Sequence, residues 1–169
     1  MILKKIYYIL SLISITLLSC HKDRGVISNY SLFDGKKYVE MDSKKKENYL
    51  DSIKSISNSL KNDSINRIFL FNLSTEYYYL NASKKSFEVC KNLLQLSYKA
   101  KDTLDIAKSY CYMGDCYETN KKDSAYYYYQ RSEKLYHLLG NNEKVAKMKF
   151  NKACMLYFEG NYLESEIMV

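Results

Sequence analysis

The sequence predicts an all-α protein built as a solenoid of helical hairpins, and three observations lead to this expectation. Proline is absent from all 169 residues, which suits a chain that is helical over most of its length. Apolar residues recur at three- and four-residue steps in successive segments, as they do on the buried face of a helix. The pattern of one pair of segments returns after about 40 residues, and self-similarity at a fixed period indicates a repeat architecture.

Residues 1–19 are predicted to be a signal-peptide helix that is removed from the mature protein. Lys4 and Lys5 give the segment a basic start, and residues 6–18 form an apolar and hydroxyl run. That run is too short to cross a membrane comfortably as a mature helix. A basic start followed by a short apolar run is typical of a secretory signal.

The end of this segment, Leu17-Leu18-Ser19-Cys20, resembles the lipobox of bacterial lipoproteins. The resemblance implies cleavage before Cys20 and acylation of its sulfur, so Cys20 is the predicted lipidation site. Several acyl chains on one cysteine hold a protein stably at a bilayer. We therefore expect the protein in the cell envelope, lipid-anchored to a membrane outside the cytoplasm, on a periplasmic or surface face. The alternative is an ordinary signal, or a short anchor helix, in which the cysteine occurs by chance.

Residues 20–42 and 43–62 differ in pattern. The first stretch contains Gly25 and Gly35 and no sustained period, which predicts a tether. From residue 43 a helical period begins, with apolar residues at Leu50, Ile53, Ile56 and Leu60. A lone helix at this place is expected to cap the first repeat, because the end of a solenoid needs a polar-faced cover.

Residues 102–140 carry the pattern of one helical hairpin. In the first half, the residues that share one helix face are Ile106, Tyr110, Met113, Gly114 and Tyr117. A break at residues 120–123 is followed by a second period at Ala125, Tyr128, Tyr129, Ser132, Leu135 and Leu139. Gly140-Asn141 then supplies the residues of a helix C-cap and turn. The stretch therefore predicts two helices joined by one tight turn.

This hairpin resembles a tetratricopeptide repeat, in which a large residue precedes a glycine, an aromatic residue follows, and a small residue and a further aromatic lie in the second helix. The resemblance implies a right-handed α-solenoid, in which small residues let the helices of a hairpin approach closely and aromatic residues fill the gap between hairpins. The pattern returns 40 residues upstream and 39 residues downstream of Tyr117. The residues assigned to repeat packing are Leu73, Tyr77, Met113, Gly114, Tyr117, Ala125, Tyr129, Ala153, Leu156 and Gly160.

The repeats are expected at residues 63–101, 102–140 and 141–169, and the third is incomplete. Its second helix begins near Asn161 and has only about two turns of sequence. We therefore expect a chain that is the N-terminal part of a longer repeat protein and that is weakly folded from Asn142 onward. The second hairpin would then lack full cover at Tyr128, Tyr129 and Leu135.

Four triplets of the form Asp-Ser/Thr-small or aliphatic begin at Asp51, Asp63, Asp102 and Asp123. Asp and Ser side chains accept hydrogen bonds from the free amides of a helix start, and N-capping is expected to account for three of the four. The same triplet resembles the O-glycosylation signal of Bacteroidetes. The resemblance implies that exported copies could be glycosylated at these sites in addition to the capping role.

The residues of a reaction centre are not gathered in this sequence. A hydrolase or transferase needs a nucleophile, a base and an orienting group, and the chain has two histidines. His21 lies in the tether and His137 on a helix flank. No glycine-rich phosphate loop, His-Glu helix pair or Cys-x-x-Cys occurs. We expect a protein without catalytic activity, metal or cofactor.

The cysteines of the mature body admit two interpretations. Cys90, Cys111, Cys116 and Cys154 could pair in an oxidising compartment, or they could be small core residues. Each falls on a helix at a site that tolerates a small apolar group, which favours the second interpretation. The net charge of +7 is no sign of a nucleic-acid partner, because Lys, Asn, Ile, Tyr and Ser all have AT-rich codons and the export signal separates the protein from nucleic acid.

The resemblance to tetratricopeptide proteins implies a binding function. Helix A residues of that family line a concave groove for an extended peptide or a partner protein, which would be an unknown one here. The corresponding positions are Phe71, Thr75, Tyr78, Tyr79, Lys108, Asp115, Glu118, Lys147, Phe150, Tyr157 and Phe158. The lipobox, the long repeats and the many Lys, Asn and Tyr residues are similar to those of Bacteroidetes lipoproteins with such repeats. The alternative is the extracytoplasmic sensor region of a histidine kinase or helix-turn-helix regulator that is truncated before its output domain. The oligomeric state is left open.

Overall fold

The computed structural model describes residues 38–60 and 63–168, and these form helices and turns without a β-strand. The seven α-helices of this part are α1 (Ser43–Lys54), α2 (Asp63–Tyr79), α3 (Ser83–Lys99), α4 (Thr103–Asp115), α5 (Lys122–Leu138), α6 (Asn142–Phe158) and α7 (Tyr162–Met168), and a short 3₁₀-helix, Ser55–Ser59, follows α1. The all-α prediction is confirmed. The signal peptide, Cys20 and most of the tether lie outside the described residues.

The chain divides into two compact units, Met1–Met41 and Asp42–Val169. In the described end of the first unit, the Met41 amide donates to the Tyr38 carbonyl oxygen at 3.2 Å. All seven α-helices belong to the second unit.

Each helix of the second unit packs against the next helix in the chain, and α2 also contacts α4. The core between α2 and α3 contains Leu73, Tyr77, Val89 and Leu93, each no more than 1% exposed. A further core cluster joins α4, α5 and α6 through Ala107, Cys111, Ala125, Tyr129, Tyr136, Met148 and Met155. Burial of such apolar faces is the main stabilising term in helical packing.

Four helices end with the same geometry. The second residue after the helix has a positive φ, at Asn81 (59°), Lys101 (54°), Gly140 (67°) and Gly160 (86°). The following residue donates its amide to a carbonyl five residues back, as in Ala82 to Tyr77 at 2.9 Å and Asn161 to Leu156 at 2.9 Å. This left-handed cap satisfies carbonyls that the end of a helix would otherwise leave free. The sequence predicts the two glycines but not Lys101.

The end of α4 departs from this pattern. The helix stops at Asp115 and residues 116–120 form turns, so Tyr117 lies after the helix rather than on it as predicted. Its ring stacks on Tyr128 at 5.9 Å and packs edge-on against Phe87 at 4.9 Å. The hairpin turn is therefore filled by aromatic contacts and not by a glycine cap.

The N-capping prediction is confirmed at Asp102 and wrong at Asp123 and Asp51. Asp102 Oδ1 accepts the Asp105 amide at 3.0 Å, whereas the N-cap of α5 is Lys121, without a side-chain cap, and Asp123 lies inside the first turn. Asp51 lies within α1 and accepts the Tyr77 hydroxyl at 2.7 Å instead.

The expectation of an uncovered second hairpin is wrong at Tyr129. Helix α6 packs along α5, and the Tyr129 side chain is 0% exposed. Tyr128 and Leu135 are partly buried against the cluster around Cys90 and Tyr110. Of the three residues predicted to lack cover, Tyr129 is thus fully covered, and Tyr128 and Leu135 are partly covered.

Candidate binding groove

The predicted groove residues lie on three alternate helices, α2, α4 and α6, except Glu118, which lies in the turn after α4. Contacts join α2 to α4. The Phe71 ring packs edge-on against Tyr112 with centroids 4.8 Å apart. The ammonium of Lys108 lies 5.7 Å from the Phe71 centroid, a cation–π distance. Thr75 donates its hydroxyl to the Phe71 carbonyl at 3.0 Å, so this side chain is tied to its own helix.

Two carboxylates and two tyrosines form a cluster where α2, α4 and α5 meet. Tyr78 on α2 donates its hydroxyl to Glu118 Oε1 at 2.5 Å. Tyr129 on α5 donates to Asp115 Oδ1 at 2.8 Å and lies 3.2 Å from Glu118 Oε2. Glu118 therefore accepts from tyrosines that approach from two different helices.

Burial raises the pKa values of three side chains in this cluster. It raises the pKa of Asp115 from an ordinary 3.8 to about 6, although the Tyr129 hydrogen bond and the charge of Lys147 act in the opposite direction. Burial and the neighbouring carboxylates raise the pKa of both Tyr78 and Tyr129. Both hydroxyls thus stay protonated and able to donate at neutral pH.

The α4–α6 cavity lies between the turn that follows α4 and helix α6. It has a volume of about 360 Å³ and is lined by Glu118, Thr119, Phe150, Asn151, Cys154, Met155 and Phe158. Phe150 and Phe158 are 59% and 65% exposed. A neighbouring cavity of about 390 Å³ shares Phe150 and is otherwise lined by Asn142, Val145, Ala146, Lys149 and Met168.

The remaining predicted groove residues lie at its margins. Tyr79 is 72% exposed and contacts Tyr78 edge-on at 5.8 Å. Tyr157 packs against Phe158 at 5.8 Å and against Tyr162 of α7 at 5.1 Å. Lys147 is exposed. Tyr79, Lys147 and Tyr157 do not line the α4–α6 cavity.

Gly114 lies where α4 meets α5, as the assignment to repeat packing implies. A Cβ atom at Gly114 would be 2.5 Å from Tyr129 Cε1. The other residues assigned to repeat packing that are buried are Leu73, Tyr77, Met113, Ala125, Tyr129, Ala153 and Leu156. Tyr117 is half-buried and Gly160 is an exposed turn residue.

Two buried cations join helices, and sequence reasoning missed both. Arg67 of α2, 8% exposed, forms ion pairs with Asp102 at 3.1 Å and Asp105 at 2.9 Å. Lys152 of α6, 7% exposed, pairs with Glu133 at 2.7 Å. Charged residues at apolar positions of the helical period are the signal that could have found them.

Three serine hydroxyls donate to backbone carbonyls of a preceding helix, and two of these bonds have the same spacing along the chain. Ser86 donates to the Ser74 carbonyl at 2.8 Å, and Ser165 donates to the Ala153 carbonyl at 2.9 Å. Both bonds join residues 12 positions apart in the chain. In the intervening hairpin, Ser132 donates to the Ala107 carbonyl at 2.8 Å.

The four cysteines of the described part of the chain are free thiols, and Cys154 lines the α4–α6 cavity together with Glu118. Cys90, Cys111 and Cys116 are buried free thiols and Cys154 is partly buried. Burial raises the pKa of Cys111 to about 12, so its thiol is protonated. Among residues 38–60 and 63–168, no three acidic, histidine or cysteine side chains lie together as a metal site would require.

No helix in the described part of the chain has the length and apolar character needed to span a bilayer. No protein-family model matches the sequence, and no curated protein matches it either.

Proposed function

We propose that the protein is a lipid-anchored interaction scaffold that binds a peptide or a partner protein in a groove formed by tetratricopeptide-like repeats, without catalysis. The observation that carries this proposal is a set of contacts from α2 to α4 and the turn after it, together with a cavity that this turn shares with α6. Phe71 contacts Lys108, Tyr78 bonds to Glu118, and Glu118 shares a cavity with Phe150.

Internal repetition supports the solenoid part of the proposal. The positive-φ helix ends at residues 81, 101, 140 and 160 are separated by 20, 39 and 20 positions, as expected of hairpins that repeat after about 40 residues. The equivalent hydrogen bonds of Ser86 and Ser165 agree with that period. Alternate helices of such a stack share one face, and this face is the groove.

The exposed aromatic rings support peptide binding. Tyr79, Phe150, Tyr157 and Phe158 are each more than half exposed, and aromatic side chains are enriched among the residues that dominate binding energy. They lie beside carboxylates and lysines that are able to pair with polar groups of a ligand. Membrane attachment rests on Leu17-Leu18-Ser19-Cys20.

Selection of random peptides displayed on phage against the full chain tests the groove. The groove variant combines Tyr79→Ser, Phe150→Ser and Phe158→Ser. The control variant combines Tyr98→Ser and Tyr127→Ser, which replace rings 52% and 47% exposed on α3 and α5. We expect selected peptides to bind the groove variant at least about tenfold more weakly and the control variant unchanged. Equal binding to both variants would refute the groove.

A further inference from the structure

The α4–α6 cavity has apolar walls and one acidic side. Its volume of about 360 Å³ falls at the lower end of ligand pockets, which span roughly 300–1,000 Å³. Phe150 and Phe158 present rings that are 59% and 65% exposed, and Met155 contributes a thioether. Glu118 supplies the carboxylate.

The Glu118 carboxylate forms no ion pair with a cation in the described part of the chain. Among the described residues, neither Glu118 nor Asp115 forms an ion pair with a lysine or arginine. Their hydrogen-bond partners are the hydroxyls of Tyr78 and Tyr129, which donate but carry no charge. Lys147 is close enough to lower the pKa of Asp115 without pairing with it.

An aromatic wall beside an unpaired carboxylate favours one class of side chain. A ring face attracts a cation, and Lys122 already lies 6.0 Å from the Phe158 centroid. An acidic ligand group would be repelled by Glu118. An apolar one would desolvate Glu118 without replacing the lost water, at a cost in free energy.

We propose that the α4–α6 cavity receives a lysine or arginine side chain of a peptide bound in the groove, an inference that rests on the proposed function. The aliphatic stem lies against Phe150, Met155 and Phe158, and the charged head pairs with Glu118. Long cationic side chains cover apolar surface with their stems while the head keeps a polar partner, so one residue type satisfies both parts of the cavity.

Methyl NMR of the full chain in detergent micelles, with ¹³C-methyl methionine, tests this inference. Met155 reports on the cavity, and the buried Met148 reports on the integrity of the core. The probes are the acetylated N-methylamides of arginine, of citrulline as its neutral isostere, and of norleucine. We expect the Met155 methyl to saturate with arginine at about three- to tenfold lower concentration than with citrulline.

Three variants separate charge from packing. Glu118→Gln should bring arginine and citrulline to within about twofold of each other, whereas Glu159→Gln, an exposed control outside the cavity, should keep the preference. Phe150→Leu should weaken arginine binding and leave the Met148 signal in place. If Glu118→Gln shifts the Met148 signal and thereby shows a disturbed core, Phe150→Leu still tests the cavity.

The outcomes that overturn the inference are distinct from those that overturn the groove. If the norleucine probe binds as tightly as the arginine probe, the cavity is an apolar pocket and the proposed preference for a cation is wrong. Displayed peptides that bind the groove while no probe moves Met155 would also refute it and leave the proposed function standing. Arginine-selective shifts without any selected peptide would support the cation preference and remove the peptide-binding function.

Discussion

Replacing Gly114 by alanine tests the contact between α4 and α5 most directly. The added Cβ would lie 2.5 Å from Cε1, 2.7 Å from Cδ1 and 3.0 Å from Cζ of Tyr129. That ring is 0% exposed and its hydroxyl is held by Asp115 at 2.8 Å, so it cannot move aside without losing contacts. The substitution forces either the ring or the helix to shift.

The expected size of the effect follows from two opposing terms. Overpacking a core costs about 1–3 kcal/mol, and contact with two ring atoms at less than 3.0 Å places Gly114→Ala in the upper half of that range. Alanine gains about 1 kcal/mol over glycine in helix propensity. We therefore expect a net loss of about 1–2 kcal/mol in the free energy of unfolding, or a melting temperature lower by roughly 2–8 °C.

Urea unfolding of four proteins isolates the clash: the wild type, Gly114→Ala, Tyr129→Leu and the double variant. Tyr129→Leu removes the ring, so Gly114→Ala should lose its penalty in that background and keep its propensity gain. The expected coupling is about 2–3 kcal/mol. Ala146→Gly at an exposed site of α6 measures the propensity term alone. If Gly114→Ala stabilises both backgrounds equally, the ring of Tyr129 does not pack on Gly114 and the argument fails.

Further predictions concern the anchor, a buried cation, a buried acid and the last helices. Cys20→Ser should abolish incorporation of labelled palmitate and membrane fractionation, and unchanged labelling would contradict the lipid anchor. Arg67→Met should destabilise the chain by about 2–4 kcal/mol, because it leaves the partly buried Asp102 without its ion pair and Asp105 with Lys108 alone; a loss below the error of urea unfolding would mean that water replaces the guanidinium. Since the pKa of Asp115 is raised from 3.8 to about 6 in the folded state, Asp115 stays protonated to a higher pH in the folded state than in the unfolded state. The contribution of Asp115 to the free energy of unfolding should therefore fall by on the order of 1–3 kcal/mol as pH rises from 4 to 6. Asp115→Asn should remove this decrease, and a variant with the same pH profile as the wild type would contradict the prediction. Because α6 packs along α5 and buries Met148, amide exchange should show strong protection at residues 147–158, in place of the weak folding from Asn142 that the sequence predicts; rapid exchange there would favour the sequence prediction.

Local pattern was sufficient for the helices themselves. Periods of three and four residues place much of the buried faces correctly, with Tyr77 and Tyr129 each 0% exposed, although Leu139 is 43% exposed. Gly140 and Gly160 mark their turns because a left-handed cap favours glycine. These features depend on neighbours within one or two helical turns, and such neighbours can be read directly from the chain.

Long-range pairing was decided only by the tertiary structure. Glu118 accepts from Tyr78, which lies 40 positions away in the chain, and Arg67 pairs with Asp105 at 38 positions. A helical period cannot say which distant polar group will meet a charged one, because an ion pair or hydrogen bond forms wherever packing brings its two atoms together. The early end of α4 at Asp115 has the same origin, since the stacking of Tyr117 on Tyr128 fills the turn with contacts from other helices. The sequence alone therefore determined which segments are helices and which of their faces are buried. The packing of α2, α4, α5 and α6 determined the chemistry of the groove.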